Sequence, residues 1–447
     1  MQKVQVGIIG AGPAGLTLGL LLQKHGISCV ILENRSREYV ESRVRAGLLE
    51  QNTVDLYREL GVADRLNAEG LTHHGVYFSF NGKRIRVPFS ELTGGRCITI
   101  YGQQEVVKDL IKANLERGNQ IIFEAEATKL EGIEGETPKI YYKTTQNDQN
   151  TEGSSETQNP KLETQNAQNT EGSSETQNSK PDTQNSKNTE GSSKTQNPKL
   201  ETQNSIECDF VAACDGYHGI GRKYLPKDSY NEFRIDYPYS WLGILAHAAP
   251  SSDELIYAYH ENGFALHSLR SETVSRLYIQ VHNDDKIENW TDEQIWDELE
   301  LRLGNNKNFT LNRGEIFEKG ITPMRSFMID NMQHGRLFLT GDAAHIVPPT
   351  GGKGLNLAVA DVRILSKALI HYFQTGANKL LETYSQDALR RIWRAQDFSN
   401  FMTDLFHKKA EHGSFVNKIQ QAKFDYIGIS TASATTIAEN YVGLKEI

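Results

Sequence analysis

Three glycines, Gly10, Gly12 and Gly15 in the segment GAGPAG, constrain the fold of this chain more than any other feature. They follow an apolar run, residues 4–9, that reads as a short strand. They precede an amphipathic stretch to about His25 that reads as a helix. A second apolar run, residues 28–32, reads as a strand and ends at Glu33. Strand, glycine turn, helix, strand and acid, in that order, form a unit that can carry a dinucleotide. The glycines let backbone approach a pyrophosphate, the helix N-terminus offers it free N–H groups, and the terminal acid accepts from ribose hydroxyls. The ordered set predicts an α/β fold with a doubly wound dinucleotide-binding domain, and it leaves FAD and a nicotinamide cofactor both open. It also argues against reading residues 4–22 as a secretory signal, since only Lys3 precedes the run and glycines interrupt it.

Between residues 145 and 204 the composition shifts to Thr, Gln, Asn, Glu, Gly, Ser and Lys. TEGSS starts at Thr151, Thr170 and Thr189, a step of 19 residues, and TQN recurs at Thr145, Thr164, Thr183 and Thr202 with the same step. A solenoid of that period would need apolar residues to stack, and the stretch holds only Leu162, Ala167 and Leu200. It is expected to be a disordered insertion, because it cannot bury enough surface to offset chain entropy. Residues 139–144 alternate like a strand and residues 206–213 form another apolar run, so the repeats stand where a hairpin turn would be.

The net charge of -9 is spread along the chain with no basic block, so nucleic acid is not an expected partner. No apolar run is long enough for a membrane span. Cys29, Cys97, Cys208 and Cys214 form no CxxC pair, which fits reduced thiols in a cytoplasmic protein, and no metal site is expected.

Residues 263–270 (GFALHSLR) and 276–282 (RLYIQVH) read as two strands joined by a short polar loop. Side chains two apart share a face. Phe264, Leu266, Ser268 and Arg270 therefore line one face, and Arg276, Tyr278 and Gln280 share a face of the second strand. A guanidinium, a hydroxyl and a phenol among apolar walls suit an aromatic carboxylate, which Arg can hold bidentately.

Two further segments carry a resemblance. CDGYHGIGR, residues 214–222, and GDAAHIVPPTGGKGLN, residues 341–356, resemble fingerprints of the class A flavoprotein aromatic hydroxylases. RVRAGLLEQ from Arg43, YGQQEV from Tyr101, RSFMI from Arg325, AENYVGL from Ala438 and residues 255–280 resemble the branch of that family that acts on 4-hydroxybenzoate. The likeness spans the chain apart from the insertion. It implies an FAD-dependent monooxygenase converting 4-hydroxybenzoate to 3,4-dihydroxybenzoate with NADPH and O2, as a homodimer. It also implies an FAD-binding domain over residues 1–144 and 206–231, the insertion over 145–205, a sheet-rich substrate domain over 232–346, and a flavin-contacting turn with a helical C-terminal segment over 347–447.

By that resemblance Glu33, Arg43, Arg45, Gln103, Asp215, Arg276, Asp342, Leu355 and Asn356 join the three glycines in binding FAD. Ser268, Arg270 and Tyr278 bind the substrate carboxylate. Tyr257, Tyr441 and His73 form a proton relay from the substrate phenol to solvent, Pro349 contacts the phenol through its carbonyl, and Lys353 tunes the flavin's charge. The nicotinamide cofactor lies against Arg45, His218 and Arg325. Arg35 and Arg37 stand after Glu33, where cations could hold a 2′-phosphate; this favours NADPH and leaves NADH open. Two positions depart from the pattern. Tyr259 stands where an Asn is usual and shares strand parity with Tyr257, so it is expected to perturb the relay or the regiochemistry. His267 replaces a Cys on the opposite face, with little effect expected. A related hydroxy- or aminobenzoate as substrate, and a non-catalytic flavin-binding interaction protein, are the alternative readings.

Overall fold

The computed structural model describes residues 2–45, 47–144, 203–304, 309–409 and 413–444. The expected disordered insertion lies outside the described residues, except its last three positions, where the strand Gln203–Ala213 has already begun.

The first sheet has the strands Gln333–His334, Leu337–Leu339, Gln203–Ala213, Gln2–Ile9, Cys29–Leu32 and Gln120–Ile122 in spatial order. Gln2–Ile9 pairs in parallel with Gln203–Ala213 on one side and with Cys29–Leu32 on the other. The helix Pro13–Lys24 makes the crossover between the first two strands, as parallel pairing requires. Val6, Ile8, Val30 and Ile31 are fully buried, as befits strands in the middle of a parallel sheet. The strand Lys139–Thr144 hangs antiparallel on Gln203–Ala213, with Lys143 opposite Gln203. The repeat segment thus leaves and re-enters at the open end of a hairpin.

The second sheet has eight strands: His345–Ile346, Glu315–Ile329, Glu232–His247, Ser275–His282, Ala265–Leu269, Ile256–Tyr259, Val76–Phe80 and Lys83–Val87. Its pairs are antiparallel except Ile256–Tyr259 with Val76–Phe80. A division of the chain at residues 144 and 232 does not follow these sheets. The hairpin Val76–Phe80/Lys83–Val87 comes from the first segment yet completes the second sheet, while Gln333–His334 and Leu337–Leu339 come from the expected substrate segment yet pair in the first. The physical reason is long-range pairing: Phe78, fully buried, packs edge-on against Tyr257 and Phe406, so burial of that side chain fixes the hairpin's place.

The C-terminal segment is helical, and its first helix is Gly354–Thr375. Tyr384–Phe406, Gly413–Ile429 and Thr431–Val442 follow. Among the described residues no helix is long and apolar enough to cross a membrane.

Candidate active site

The glycine turn is shaped by contact. Gly10 has φ 103°, and a Cβ there would lie 2.3 Å from the Cys214 carbonyl oxygen. A Cβ on Gly15 would lie 2.0 Å from the Gly10 carbonyl oxygen. Gly12 is different: as the residue capping Pro13–Lys24 it supplies no side-chain cap, and a Cβ on it would meet nothing within 4 Å. Open space at a helix N-terminus with unclaimed N–H groups is a cradle for a phosphate. Glu33 is buried at the end of its strand; its carboxylate accepts from Ala11 N at 2.8 Å and Arg35 N at 3.0 Å.

Asp215 ends a sheet strand's exit turn. Its Oδ2 accepts from Gly221 N at 2.8 Å, while its Oδ1 is buried without a partner. Burial pushes this carboxyl above its ordinary range despite the backbone donors around it. Asp342 is exposed at the start of the 341–343 turn, and the turn itself is held by a buried pair. Asp361 Oδ2 accepts from Gly341 N at 2.8 Å and meets His345 Nε2 at 2.6 Å. Burial opposes charge on His345, but Asp361 outweighs it and raises the imidazole's pKa. That pair escaped sequence reasoning, although His345 lies inside the recognised fingerprint and Asp361 stands five residues beyond it.

These features fit a flavin dinucleotide: a phosphate cradle at Gly12, a buried carboxylate oxygen of Asp215 lacking a donor, and an exposed acid at Asp342. The remaining expected cofactor residues are placed unevenly. Gln103 opens the helix Gln103–Glu116, and Arg43 and Arg45 are exposed. Leu355 packs on the core. The Asn356 side chain is held within the protein, accepting from Glu50 N and Thr53 Oγ1 and donating to the carbonyls of Leu48 and Gly352.

Lys353 is likewise engaged within the protein. It is buried, pairs with Glu50 Oε1 at 2.8 Å, and donates to the carbonyls of Asn440 and Tyr441. Glu50 Oε2 in turn takes Arg391 at 2.7 Å. Burial lowers the lysine's pKa while Glu50 raises it, and the two cations keep Glu50 below its ordinary value against its own burial. Glu50 and Arg391 were not foreseen; Glu50 lay inside the quoted RVRAGLLEQ segment, where a buried acid needs a partner.

The second sheet arranges the expected substrate residues in rows. Register places Tyr257 opposite Leu266, Leu266 opposite Tyr278, and Ser268 opposite Arg276. Opposed side chains share a face, so Tyr257, Leu266 and Tyr278 form one row, Ser268 and Arg276 the next, and Arg270 follows. Arg270 lies four positions after Leu266, about 14 Å along the chain, a span suited to one aromatic ring held at both ends.

Arg270 Nη2 donates to the Arg45 carbonyl at 2.7 Å, while its Nε is buried without a partner. Burial lowers the guanidinium's pKa to about 10, with Arg276 adding to the effect. Arg276 Nη1 is likewise buried and unpartnered, and its guanidinium lies 5.2 Å from the Tyr278 ring centroid. Two half-buried cations on one face, each with a buried N–H left without a partner, call for an anion. Trp241 walls this face, 4.9 Å from Tyr278 and 5.0 Å from Phe264, and is locked by donation from its Nε1 to His407 Nε2 at 2.7 Å.

At the other end the Tyr257 and Tyr441 hydroxyls lie 2.5 Å apart, both buried. Burial raises both phenol pKa values, so both stay protonated at neutral pH. His73 is corrected as the outlet to solvent. It is only 1% exposed, neither ring nitrogen has a partner, and burial lowers its pKa to about 4. It ends the strand Leu71–His73, with Asp253, Glu254 and His267 as charged or titratable neighbours. The adjacent His74 is the exposed one, with Nδ1 2.8 Å from Ser90 Oγ.

Pro349 is exposed at the 349–351 turn. Tyr259 stacks on Phe80 at 4.2 Å with its hydroxyl buried and unpartnered, so no hydrogen bond joins it to Tyr257. His267 is buried and accepts from Ser251 N at 3.0 Å. On the surface, Arg325 lies over the Tyr217 ring at 5.4 Å and His218 meets the same ring edge-on at 5.0 Å, which gathers these two candidates. Arg35 and Arg43 both lie over the Tyr39 ring, whereas Arg37 is tied to Glu41 at 2.7 Å. Of the two candidate phosphate-binding cations after Glu33, Arg35 alone is therefore without a carboxylate partner.

Residues 3–153 and 163–399 match the family model described as FAD binding domain. The chain is 43% identical over 443 residues, 99% of its length and 96% of the relative's, to a protein of Acinetobacter baylyi named p-hydroxybenzoate hydroxylase. In fold it is similar to the crystal structure of p-nitrophenol 4-monooxygenase from Pseudomonas putida DLL-E4, with TM-score 0.75, 16% identity and 100% of each chain covered. It is similar also to aklavinone-11 hydroxylase in a ternary complex with FAD and aklavinone, with TM-score 0.65, 16% identity, 93% of this chain and 73% of that one covered.

Proposed function

Since the chain belongs to the class A flavoprotein aromatic hydroxylase family and is a flavin-dependent aromatic monooxygenase, we propose that it hydroxylates 4-hydroxybenzoate to 3,4-dihydroxybenzoate, with NADPH as reductant and O2 as the oxygen source. The observation that carries this reading is one sheet face bearing Arg270, whose buried Nε lacks a partner, at one end and the Tyr257–Tyr441 hydroxyl pair at the other. The p-hydroxybenzoate named for the Acinetobacter relative has matching ends, a carboxylate and a phenol para to it.

In this proposal Arg270 takes the carboxylate as a charge-assisted pair, with Ser268 and Tyr278 beside it. The Tyr257 hydroxyl meets the substrate phenol. A free phenol ionises near pH 10, so at neutral pH it needs help. Tyr257 remains protonated because burial disfavours its own anion. It therefore donates to the substrate oxygen and favours substrate phenolate over tyrosinate, while the displaced proton passes through the short Tyr257–Tyr441 contact by exchange, each phenol giving up one proton as it gains one, with solvent water as the final acceptor. The phenolate drives electron density onto the ring carbon beside it. When bound, reduced flavin would activate O2 and supply an electrophilic oxygen to that carbon. Trp241, Phe264 and Leu266 wall the ring and exclude water.

NADPH as the reductant is supported by Arg35, free of a carboxylate partner, and by Arg325 and His218 gathered on Tyr217. Assembly as a homodimer is supported by the helix Gly413–Ile429. Phe415, Ile419, Tyr426 and Ile429 are exposed on one face, opposite the buried Gln420, Phe424 and Ile427.

Tyr257→Phe tests the reading. The variant should retain FAD and oxidise NADPH in the presence of 4-hydroxybenzoate, with dihydroxybenzoate per NADPH falling at least about tenfold, the scale of lost acid–base assistance. Parent-like coupling in that variant, or no dihydroxybenzoate from the parent protein, overturns it.

A further inference from the structure

The helix that carries Tyr441, Thr431–Val442, ends one residue later, and its C-terminal carbonyls have no helical partners of their own. Two of them, and two carbonyls of the chain just beyond the helix, are claimed by side chains from distant segments. Lys353 Nζ donates to Asn440 O and Tyr441 O. Arg96 Nη2 donates to Gly443 O at 2.8 Å, and Asn52 Nδ2 donates to Leu444 O at 2.7 Å. The last two donors are themselves joined, Arg96 Nη2 to Asn52 Oδ1 at 2.6 Å. The fit is close: Gly443 has φ 84°, and a Cβ on it would lie 2.3 Å from Glu50 Oε2.

Two cations at a helix C-terminus also meet the negative end of its dipole. We infer that Arg96, braced by Asn52, is a positioning residue for the hydroxylation: it fixes the end of the Thr431–Val442 helix so that the Tyr441 hydroxyl stays against Tyr257. Arg96 needs no contact with substrate or flavin for this role. Its two hydrogen bonds go to the chain just beyond Tyr441 and to Asn52. The Tyr441 ring is fully buried, stacked on Phe89 at 4.8 Å and met edge-on by Phe398 at 5.9 Å and Tyr257 at 6.2 Å. These contacts surround the ring, and the capped carbonyls fix the backbone that carries it. The consequence for the relay rests on the function proposed above; the helix anchoring does not.

The test uses full-length, FAD-loaded Arg96→Ala and Arg96→Lys proteins beside the parent. Hydrogen exchange over residues 431–444 reads the anchor. The absorbance of bound 4-hydroxybenzoate, titrated with pH, reads the phenolate fraction. Arg96→Ala should lose at least tenfold protection at the helix end and require a higher pH to ionise the bound phenol, with carboxylate-end affinity retained. Arg96→Lys should recover most of both. Parent-like exchange and parent-like titration in Arg96→Ala overturn the inference. Should Arg96→Ala not fold, Asn52→Ala, which loses the Leu444 bond and the brace, is read the same way. A parent that binds no 4-hydroxybenzoate refutes the proposed substrate and leaves the anchor to be decided by hydrogen exchange alone.

Discussion

Replacing Gly12 and, separately, Gly15 by alanine separates the cofactor's need for space from the fold's. Gly12 has φ -77° and ψ -179°, extended backbone that any residue adopts, and a Cβ there meets nothing within 4 Å. Gly12→Ala should leave the flavin-free fold between unchanged and about 0.4–1 kcal/mol more stable, the gain from restricting the unfolded chain. Its methyl group enters the cradle at the helix N-terminus, so the damage should fall on FAD affinity, with Kd at least about tenfold weaker, equivalent to about 1.4 kcal/mol. Gly15→Ala is the converse. Its Cβ would lie 2.0 Å from the Gly10 carbonyl oxygen and 3.1 Å from the Ile8 side chain, and a backbone oxygen in a sheet turn cannot swing aside. Such overpacking costs about 1–3 kcal/mol, which lowers Tm by about 2–4 °C per kcal/mol in domains of moderate size. Fluorescence titration of deflavinated protein with FAD, and thermal unfolding without it, separate the two effects. Parent-like FAD affinity in Gly12→Ala, or an unchanged Tm in Gly15→Ala, would refute the reasoning.

Arg270→Lys replaces a planar fork by a point charge. Loss of one charge-assisted hydrogen bond, about 1.5–3 kcal/mol, should weaken 4-hydroxybenzoate binding by about tenfold to a hundredfold while FAD content is kept; an unchanged Kd would place the carboxylate elsewhere. Replacement of residues 145–202 by a two-residue turn should preserve flavin content and turnover, since Lys143 and Gln203 already face each other; a folded deletion lacking both would show the segment to be functional. Burial lowers the pKa of His73 to about 4 and of His267 and His407 to about 3. Stability from neutral burial is complete above about pH 6.5, the ordinary histidine value, and is lost as pH falls toward the folded pKa. Each histidine steepens the decline by about 1.4 kcal/mol per pH unit. Urea unfolding between pH 7 and 5 should show the fall, and His267→Cys should flatten it by one histidine's share; identical slopes would be the contrary result.

What could be read in advance followed the range of the interactions. The glycine turn, Glu33 and the parity of Ser268, Arg270, Arg276 and Tyr278 depend on neighbours a few residues away, and alternation alone put them on common faces. Arg276 and Tyr278 are half-buried between the buried Ser275, Leu277 and Ile279, the pattern the sequence carries. The burial of His73 depends on segments far along the chain, and so does the hairpin at 76–87. A strand's periodicity does not say which sheet will receive it. Lys353 and Asn356 were recognised as residue types in a known motif, but their partners, Glu50, Leu48 and the carbonyls of Asn440 and Tyr441, come from remote segments that no local pattern links.

The hairpin closed by Lys143 and Gln203 has one more consequence. Opposed residues in an antiparallel pair lie about 5 Å apart, so the chain departs and returns through a gap no wider than a strand spacing. Both sides are pinned: Lys139–Thr144 by Ala125–Glu131, and Gln203–Ala213 by Gln2–Ile9. That opening is a graft point, where a folded cargo with neighbouring termini could be carried without disturbing the sheet that holds Asp215.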